Sequence, residues 1–295
     1  MKLKEYAPYA ADRVNGFMKA YLDRLDKDAQ KLHESMAYSL LLGGKRARPL
    51  LVYATGTALG QSEAVLDYVA AAVECIHAYS LVHDDMPEMD NDKLRRGHPT
   101  VHVKFGQETA LLAGDALQAL AFQLLSDPDS GLSVDSVARL VQILSVKAGY
   151  SGMCGGQALD LEAEHKHLAM DELRLLHSKK TGALIRAAVL MGAYAADCRD
   201  EQTLSKLDEY ASWAGLAFQV WDDVLDVIGD TSVMGKTQGS DQSLEKSTYP
   251  SLMGIEKAKE FALECAENAK NALASIKEET TVLSEFADFC VARDH

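Results

Sequence analysis

The sequence predicts an all-α protein: a single large helical bundle with a central cavity, one domain over residues 1–295. Three observations carry this reading. Apolar residues recur at helical spacing along most of the chain, with little strand-type alternation. Hydrophobic residues make up 47% of the 295, enough for one large core. Only 6 prolines occur, and no Gly/Ser/Pro-rich linker divides the chain.

The elements follow in order. Leu32, Met36, Leu40 and Leu41 continue one apolar stripe, which Gly43-Gly44 stops. Pro49 then permits a new helix through Leu50, Leu51, Tyr53 and Ala54. Residues 63–85 are apolar nearly all round, which predicts a central, buried helix. Further helices are predicted over 107–125, 133–149, 151–163, 171–197, 202–228, 251–276 and 280–292, giving about ten or more in all. No fixed internal repeat is present.

The net charge of −14 argues against nucleic acid as a partner, and against non-specific binding to an anionic membrane. It leaves room for a small anionic ligand, because local basic residues and bound metal set the field at a site. None of the five cysteines forms a C-x-x-C pair, as expected for buried free thiols in a reducing compartment. The segment Met1-Lys2-Leu3-Lys4-Glu5-Tyr6 lacks an apolar signal core. No run approaches the roughly 18 apolar residues of a membrane span. A soluble, cytoplasmic protein without membrane insertion is the expectation.

Two acidic clusters carry the chemistry. The first reads Leu81-Val82-His83-Asp84-Asp85-Met86-Pro87-Glu88-Met89-Asp90-Asn91-Asp92, and the second Phe218-Gln219-Val220-Trp221-Asp222-Asp223-Val224-Leu225-Asp226. Each acidic pair follows an apolar stretch, where bare carboxylates are costly unless paired or metal-bound. Mg²⁺ is commonly held by one or two carboxylates plus substrate phosphates. Two such clusters facing each other would cage a metal–diphosphate substrate. Asp222 and Asp226 share a helix face at i and i+4. Asp84 and Asp90 are six apart, about 240° around an ideal helix. Pro87 resolves the conflict: the helix is expected to end near Asp85–Met86 and the chain to turn, bringing Asp90 back.

A basic complement accompanies them. Lys45, Arg46 and Arg48 follow a helix stop, and Arg95-Arg96 come within six residues of Asp90. Lys179-Lys180, Lys236 and Lys246 stand beside further helix breaks. Guanidinium and ammonium groups at these places suit phosphate oxygens. Other constellations have weaker support. His165-Lys166-His167 and the pair His98 and His102 lack zinc-type companions. Ser80, Ser151 and Ser178 have no G-x-S-x-G context. Gly152, Gly155 and Gly156 follow no strand and so form no dinucleotide fingerprint.

Taken together, these segments resemble the trans-isoprenyl diphosphate synthases, most closely the bacterial farnesyl diphosphate synthase branch. The resemblance runs from Gly43-Gly44-Lys45-Arg46-Ala47-Arg48-Pro49 to Arg293-Asp294-His295. It is most specific at Glu74-Cys75-Ile76-His77-Ala78-Tyr79-Ser80-Leu81-Val82-His83-Asp84-Asp85, Leu94-Arg95-Arg96-Gly97, Lys180-Thr181-Gly182, Phe218–Asp223 and Lys246-Ser247-Thr248-Tyr249-Pro250. It implies an isoprenoid-synthase bundle and a homodimer. It makes Asp84, Asp85, Asp90, Asp222, Asp223 and Asp226 ligands of three Mg²⁺ ions. Lys45, Arg48, His77 and Arg96 become the isopentenyl diphosphate site. Arg95, Lys180, Lys236 and Lys246 surround the allylic (dimethylallyl or geranyl) diphosphate, and Thr181 and Gln219 lie near the reacting carbons. Glu245 departs from the glycine that relatives often carry there. The stretch Lys236–Lys246 is a candidate lid. Tyr79, with Ser80 beside it, is implied to set product length. An aromatic there and the long Asp84–Asp90 spacing mark the C15-forming branch. Geranyl or geranylgeranyl synthesis, and a non-catalytic regulatory subunit, are the alternatives.

Overall fold

The computed structural model describes residues 1–228 and 247–293. Helix α1 (Leu3–Arg24) buries Tyr6, Ala10, Val14, Met18 and Tyr21, spaced at three or four residues as one stripe requires. Helix α2 (Gln30–Leu41) ends where expected: Gly43 and Gly44 take φ of 95° and 126°, which side chains disfavour. Helix α3 (Ala47–Ala58) follows, and α4 (Glu63–Asp84) runs through the middle of the molecule. Leu66 and every residue from Val69 to Val73 are fully enclosed. Helices α3, α6 (Gln107–Leu125) and α10 (Ala183–Ala195) pack around α4.

Helix α4 is long and apolar enough to cross a membrane by length and composition, contrary to the expectation that no run approaches a membrane span. Its most apolar window is 83% buried inside the protein, so its apolarity serves the core. Its acids Asp67 and Glu74 are paired within the bundle. Arg13 grips Asp67 through two bonds of 2.7 Å, and Tyr53 donates to the same carboxylate. Arg46 pairs with Glu74 at 2.5 Å.

The remaining helices are α5 (Val101–Phe105), α7 (Val134–Ala148), α8 (Met153–Glu162), α9 (Met170–His177), α11 (Glu201–Ile228), α12 (Tyr249–Met253), α13 (Ile255–Leu273) and α14 (Thr281–Ala292). One apolar cluster runs from Tyr6 to Val291.

Several expectations need correction. The predicted helix over 171–197 is interrupted: a π-turn, Ser178–Gly182, separates α9 from α10. It is wedged between α8 and α11, where glycines allow close approach. A Cβ on Gly156 would lie 2.2 Å from the Lys180 nitrogen, and one on Gly215 3.3 Å from the Gly182 Cα. The predicted helix over 251–276 breaks at Gly254, whose φ is 84°. Helices α1 and α5 were not anticipated. Nor was a two-residue antiparallel hairpin, β1 (Leu94–Arg95) with β2 (His98–Pro99), pairing Arg95 with His98. Its turn residues Arg96 and Gly97 have φ of 53° and 77°, the signature of a type I′ turn. Cys75, Cys265 and Cys290 are buried as expected, whereas Cys154 is exposed and Cys198 partly so.

Candidate active site

The first acidic cluster forms where α4 stops. Asp84 is the last helical residue. Past Pro87 the chain doubles back, so that the Asp90 N–H donates to the Asp84 carbonyl at 2.9 Å. Asn91 closes the turn with φ of 53° and an N–H bond of 3.0 Å to the Met86 carbonyl. The proline thus does what the spacing argument required of it. Burial raises the Asp84 carboxyl to about 6; the negative charges of Asp90 and Asp85 add to this, and Lys180 opposes it. Asp85, only 3% exposed, is held by Arg95, whose Nε lies 2.8 and 2.9 Å from its two oxygens. The hairpin after the cluster delivers that guanidinium.

The second cluster occupies the last turns of α11. Asp223 accepts the Gln219 amide at 3.0 Å and the Tyr249 backbone N–H at 3.0 Å. Gln219 in turn accepts from the Thr181 hydroxyl at 2.9 Å. A relay of bonds therefore joins the π-turn to the acidic helix. Asp222 pairs with Arg293 at 2.5 Å. The same guanidinium donates to the Phe218 and Cys290 carbonyls and stacks 3.8 Å over the Phe218 ring. Asp226 lies one turn beyond, half-buried.

Lys180 connects the two clusters. Its ammonium donates to Asp160 of α8 at 2.6 Å, and its charge acts on Asp84. A cavity of about 120 Å³ opens beside it, lined by Asp160, His177, Lys180, Thr181, Gln219 and Asp223.

Arg48 and Arg96 lie close enough to His77 for their charges to act on it, whereas Lys45 stands near Arg293 and Asp222. Burial and the charges of Arg48, Arg96, Arg46 and Arg95 push the His77 imidazole well below its ordinary range, so it is neutral at pH 7. Burial and Arg293 lower Lys45, against the pull of Asp222, which places this group beside the second cluster. The Arg96 guanidinium donates to the Gly43 carbonyl and packs on Gly44, where a Cβ would fall 2.6 Å from Nη1. The Arg48 Nε is buried without a hydrogen-bond partner, an orphan donor among cations that an anion would satisfy. Arg46, the middle cation of that run, instead points inward to Glu74, Asn15 and the Leu40 carbonyl.

Tyr79 is buried at 6% exposure, its hydroxyl 3.3 Å from the Cys154 sulfur and its ring 5.8 Å from that of His83. Ser80 caps the His77 carbonyl at 2.9 Å. Lys236, Lys246, Glu245 and the lid expected over Lys236–Lys246 lie outside the described residues.

Among the described residues, no three acidic, histidine or cysteine side chains converge into a metal cage made by protein alone. The expectation is of carboxylates that hold metal together with substrate phosphates, and it needs no cage of protein ligands alone. Asp85 and Asp223 already accept hydrogen bonds at both oxygens. The all-oxygen donor set nevertheless fits a hard divalent cation that takes its remaining ligands from diphosphate and water.

Sequence reasoning missed Asp160 and Arg293 as site residues. The signal for Asp160 was the polar pair Gln157 and Asp160 following Gly155-Gly156; the Gln157 amide nitrogen is buried without a partner. Arg293 had no local signal, since its partner lies 71 residues away.

The chain matches the polyprenyl synthetase family model over residues 29–284. It is 54% identical over 265 residues to the farnesyl diphosphate synthase of Escherichia coli, covering 88% of this chain and 89% of that one. An FPP/GFPP synthase from Zymomonas mobilis, solved as the apo form, superposes with a TM-score of 0.88 at 37% identity, covering 98% of this chain and 99% of that one. A geranyltransferase from Helicobacter pylori, solved with magnesium and isoprenyl diphosphate, gives a TM-score of 0.82 at 34% identity, covering 97% and 96%. Matched by the family model over most of its length and by relatives of this identity, the chain belongs to the polyprenyl synthetase family.

Proposed function

We propose that the protein is a farnesyl diphosphate synthase, joining isopentenyl diphosphate head-to-tail to dimethylallyl and then geranyl diphosphate. The observation that carries this is the pairing of two acidic clusters with two separate cation groups. One comprises Lys45, Arg48 and Arg96, with neutral His77 among them, and the other Arg95 and Lys180. A condensation of two diphosphates needs both.

In this reading Asp84, Asp85, Asp90, Asp222, Asp223 and Asp226 hold Mg²⁺ together with the allylic diphosphate, in three ions by family analogy. When bound, the metal neutralises charge developing on the departing diphosphate. Arg95 and Lys180, with Lys236 and Lys246, donate to that group. Arg48 and Arg96 fix the second diphosphate; neutral His77 contributes a hydrogen bond and no further charge. The double bond of isopentenyl diphosphate attacks the allylic carbon, and a proton leaves to end the cycle. No described side chain at the reacting carbons is a free base, so the released diphosphate takes that proton. Thr181 and Gln219 line the path of the cation. Their relay through Asp223 keeps the hydroxyl and amide oriented and water out.

One domain, a homodimer and a cytoplasmic location complete the proposal. The test is product chromatography with isopentenyl diphosphate and either dimethylallyl or geranyl diphosphate in Mg²⁺. A dominant C15 product abolished by EDTA is expected. A dominant C10 or C20 product would replace it with geranyl or geranylgeranyl synthesis. No condensation would favour a regulatory subunit.

A further inference from the structure

A second cavity of about 120 Å³ lies behind the π-turn, facing away from Thr181. Buried Gly182 and Gly215 form its base, and exposed Ser178 and Ser212 stand at its rim. Arg174 of α9 and Arg186 of α10 reach into it, while His177 lines both this cavity and the catalytic one.

Its charge is unbalanced. Arg186 is bound by Asp208 through bonds of 2.8 and 2.5 Å. Arg174 pairs with no carboxylate among the described residues; its guanidinium lies 5.2 Å from the centre of the Phe261 ring. Lys147, at the end of α7, also lacks an ion pair among the described residues, and burial together with the charge of Arg186 holds its ammonium below the ordinary range. Of the two half-buried arginines that line the cavity, only Arg186 is matched by a carboxylate among the described residues, in a protein of net charge −14. Partly desolvated charge of one sign is costly until an opposite charge completes it. Planar guanidinium donors match the oxygens of phosphate-type anions bidentately, as they do those of carboxylates.

We propose that this cavity is a second anion site, taking a phosphate-type oxyanion between Arg174 and Arg186. Its occupancy is felt at Lys180 and Thr181, because the π-turn is the wall between the two cavities. Such coupling is reciprocal: anion bound behind the turn changes substrate affinity in front of it, and the reverse. The binding half of this inference stands apart from the proposed reaction; the coupling half rests on it.

Calorimetric titration of the metal-free, full-length protein with inorganic phosphate, and separately with inorganic diphosphate, tests the site. Wild type is expected to show two classes of site. Arg174→Gln keeps the catalytic class and weakens the other at least tenfold. Should that variant fail to fold, Ser212→Asp, which puts a carboxylate at the exposed rim, decides in its place. A preference for diphosphate identifies the reaction's own by-product as ligand, and a preference for phosphate the free ion. A single class in wild type, or an unchanged titration in the folded variants, overturns the site. For the coupling, phosphate at saturating substrates should change kcat in wild type and not in Arg174→Gln. Equal effects in both, confined to KM, would leave no coupling.

Discussion

Replacing Tyr79 with alanine should lengthen the product from C15 to C20 or beyond. The ring is 6% exposed, five residues before Asp84, about 7.5 Å along the helix axis from the carboxylate that begins the diphosphate site. In the proposed reaction a growing prenyl chain would reach this ring. Truncating a buried aromatic costs about 3–5 kcal/mol. Unfolding entropy near 2.1 cal/mol/K per residue over 295 residues is about 0.6 kcal/mol/K, so the melting temperature should fall by about 5–8 °C. The variant therefore stays folded under assay conditions well below its midpoint. Products from isopentenyl and geranyl diphosphate, separated by chain length, read the outcome. Cys154→Ala is the companion: it removes the partner 3.3 Å from the Tyr79 hydroxyl but leaves the ring, and should keep a C15 product. A folded Tyr79→Ala enzyme that still makes only C15 would refute the reasoning, and the ring would then be ordinary core.

Three further outcomes are expected. The raised Asp84 carboxyl means that the folded state takes up a proton more readily than the unfolded one. Its stabilisation is therefore complete below about pH 4 and lost as pH rises through about 6. Asp84→Asn should thus raise the metal-free unfolding free energy at pH 8 by up to about 3 kcal/mol, while condensation is lost; denaturant melts at pH 5 and 8 in EDTA check this, and equal effects at both would contradict it. Glu74→Ala strands the Arg46 charge, whose side chain is 2% exposed, and should cost about 3–5 kcal/mol, whereas replacing both by apolar residues should recover much of it. Arg293→Gln removes a charge-assisted bond worth about 1.5–3 kcal/mol and should lower kcat/KM by about 10- to 100-fold. Arg293→Lys should restore part of that loss, and an unchanged kcat/KM in a folded Arg293→Gln enzyme would show that Asp222 needs no such partner.

Features that depend on near neighbours along the chain were legible in the sequence. The i, i+4 spacing of Asp222 and Asp226, the Gly43-Gly44 stop and the return of Asp90 past Pro87 all follow from local backbone rules. The π-turn at Ser178–Gly182 was not legible, because one widened turn leaves the apolar period almost unchanged. What makes it is tertiary: Gly156 and Gly215 admit the turn between two helices. The hairpin at Arg95–His98 is too short to alternate, and its only cue was Arg96-Gly97 at the turn. Helix α1 was missed although its stripe was present. Asp160 and Arg293 depend on partners 20 and 71 residues away, beyond any local pattern.

The run Lys45-Arg46-Ala47-Arg48 shows why composition alone cannot assign a cation. The three charges are equivalent in sequence, yet Arg46 takes φ of 49° and turns into the bundle against Glu74. That one left-handed residue sends the middle cation inward. The charge of Glu74 still reaches Arg48, but its hydrogen bond goes to Arg46, and the Arg48 Nε is left without a hydrogen-bond partner. The buried ion pair thus takes the middle cation out of the exposed run and leaves one Arg48 donor without a bond. The acidic clusters show the converse arrangement, with Arg95 on Asp85 and Arg293 on Asp222. Those guanidiniums are held, partly desolvated, against the carboxylates they border. Each of these two carboxylates therefore already has a charged partner fixed in place, which limits how far either can move when the local charge changes.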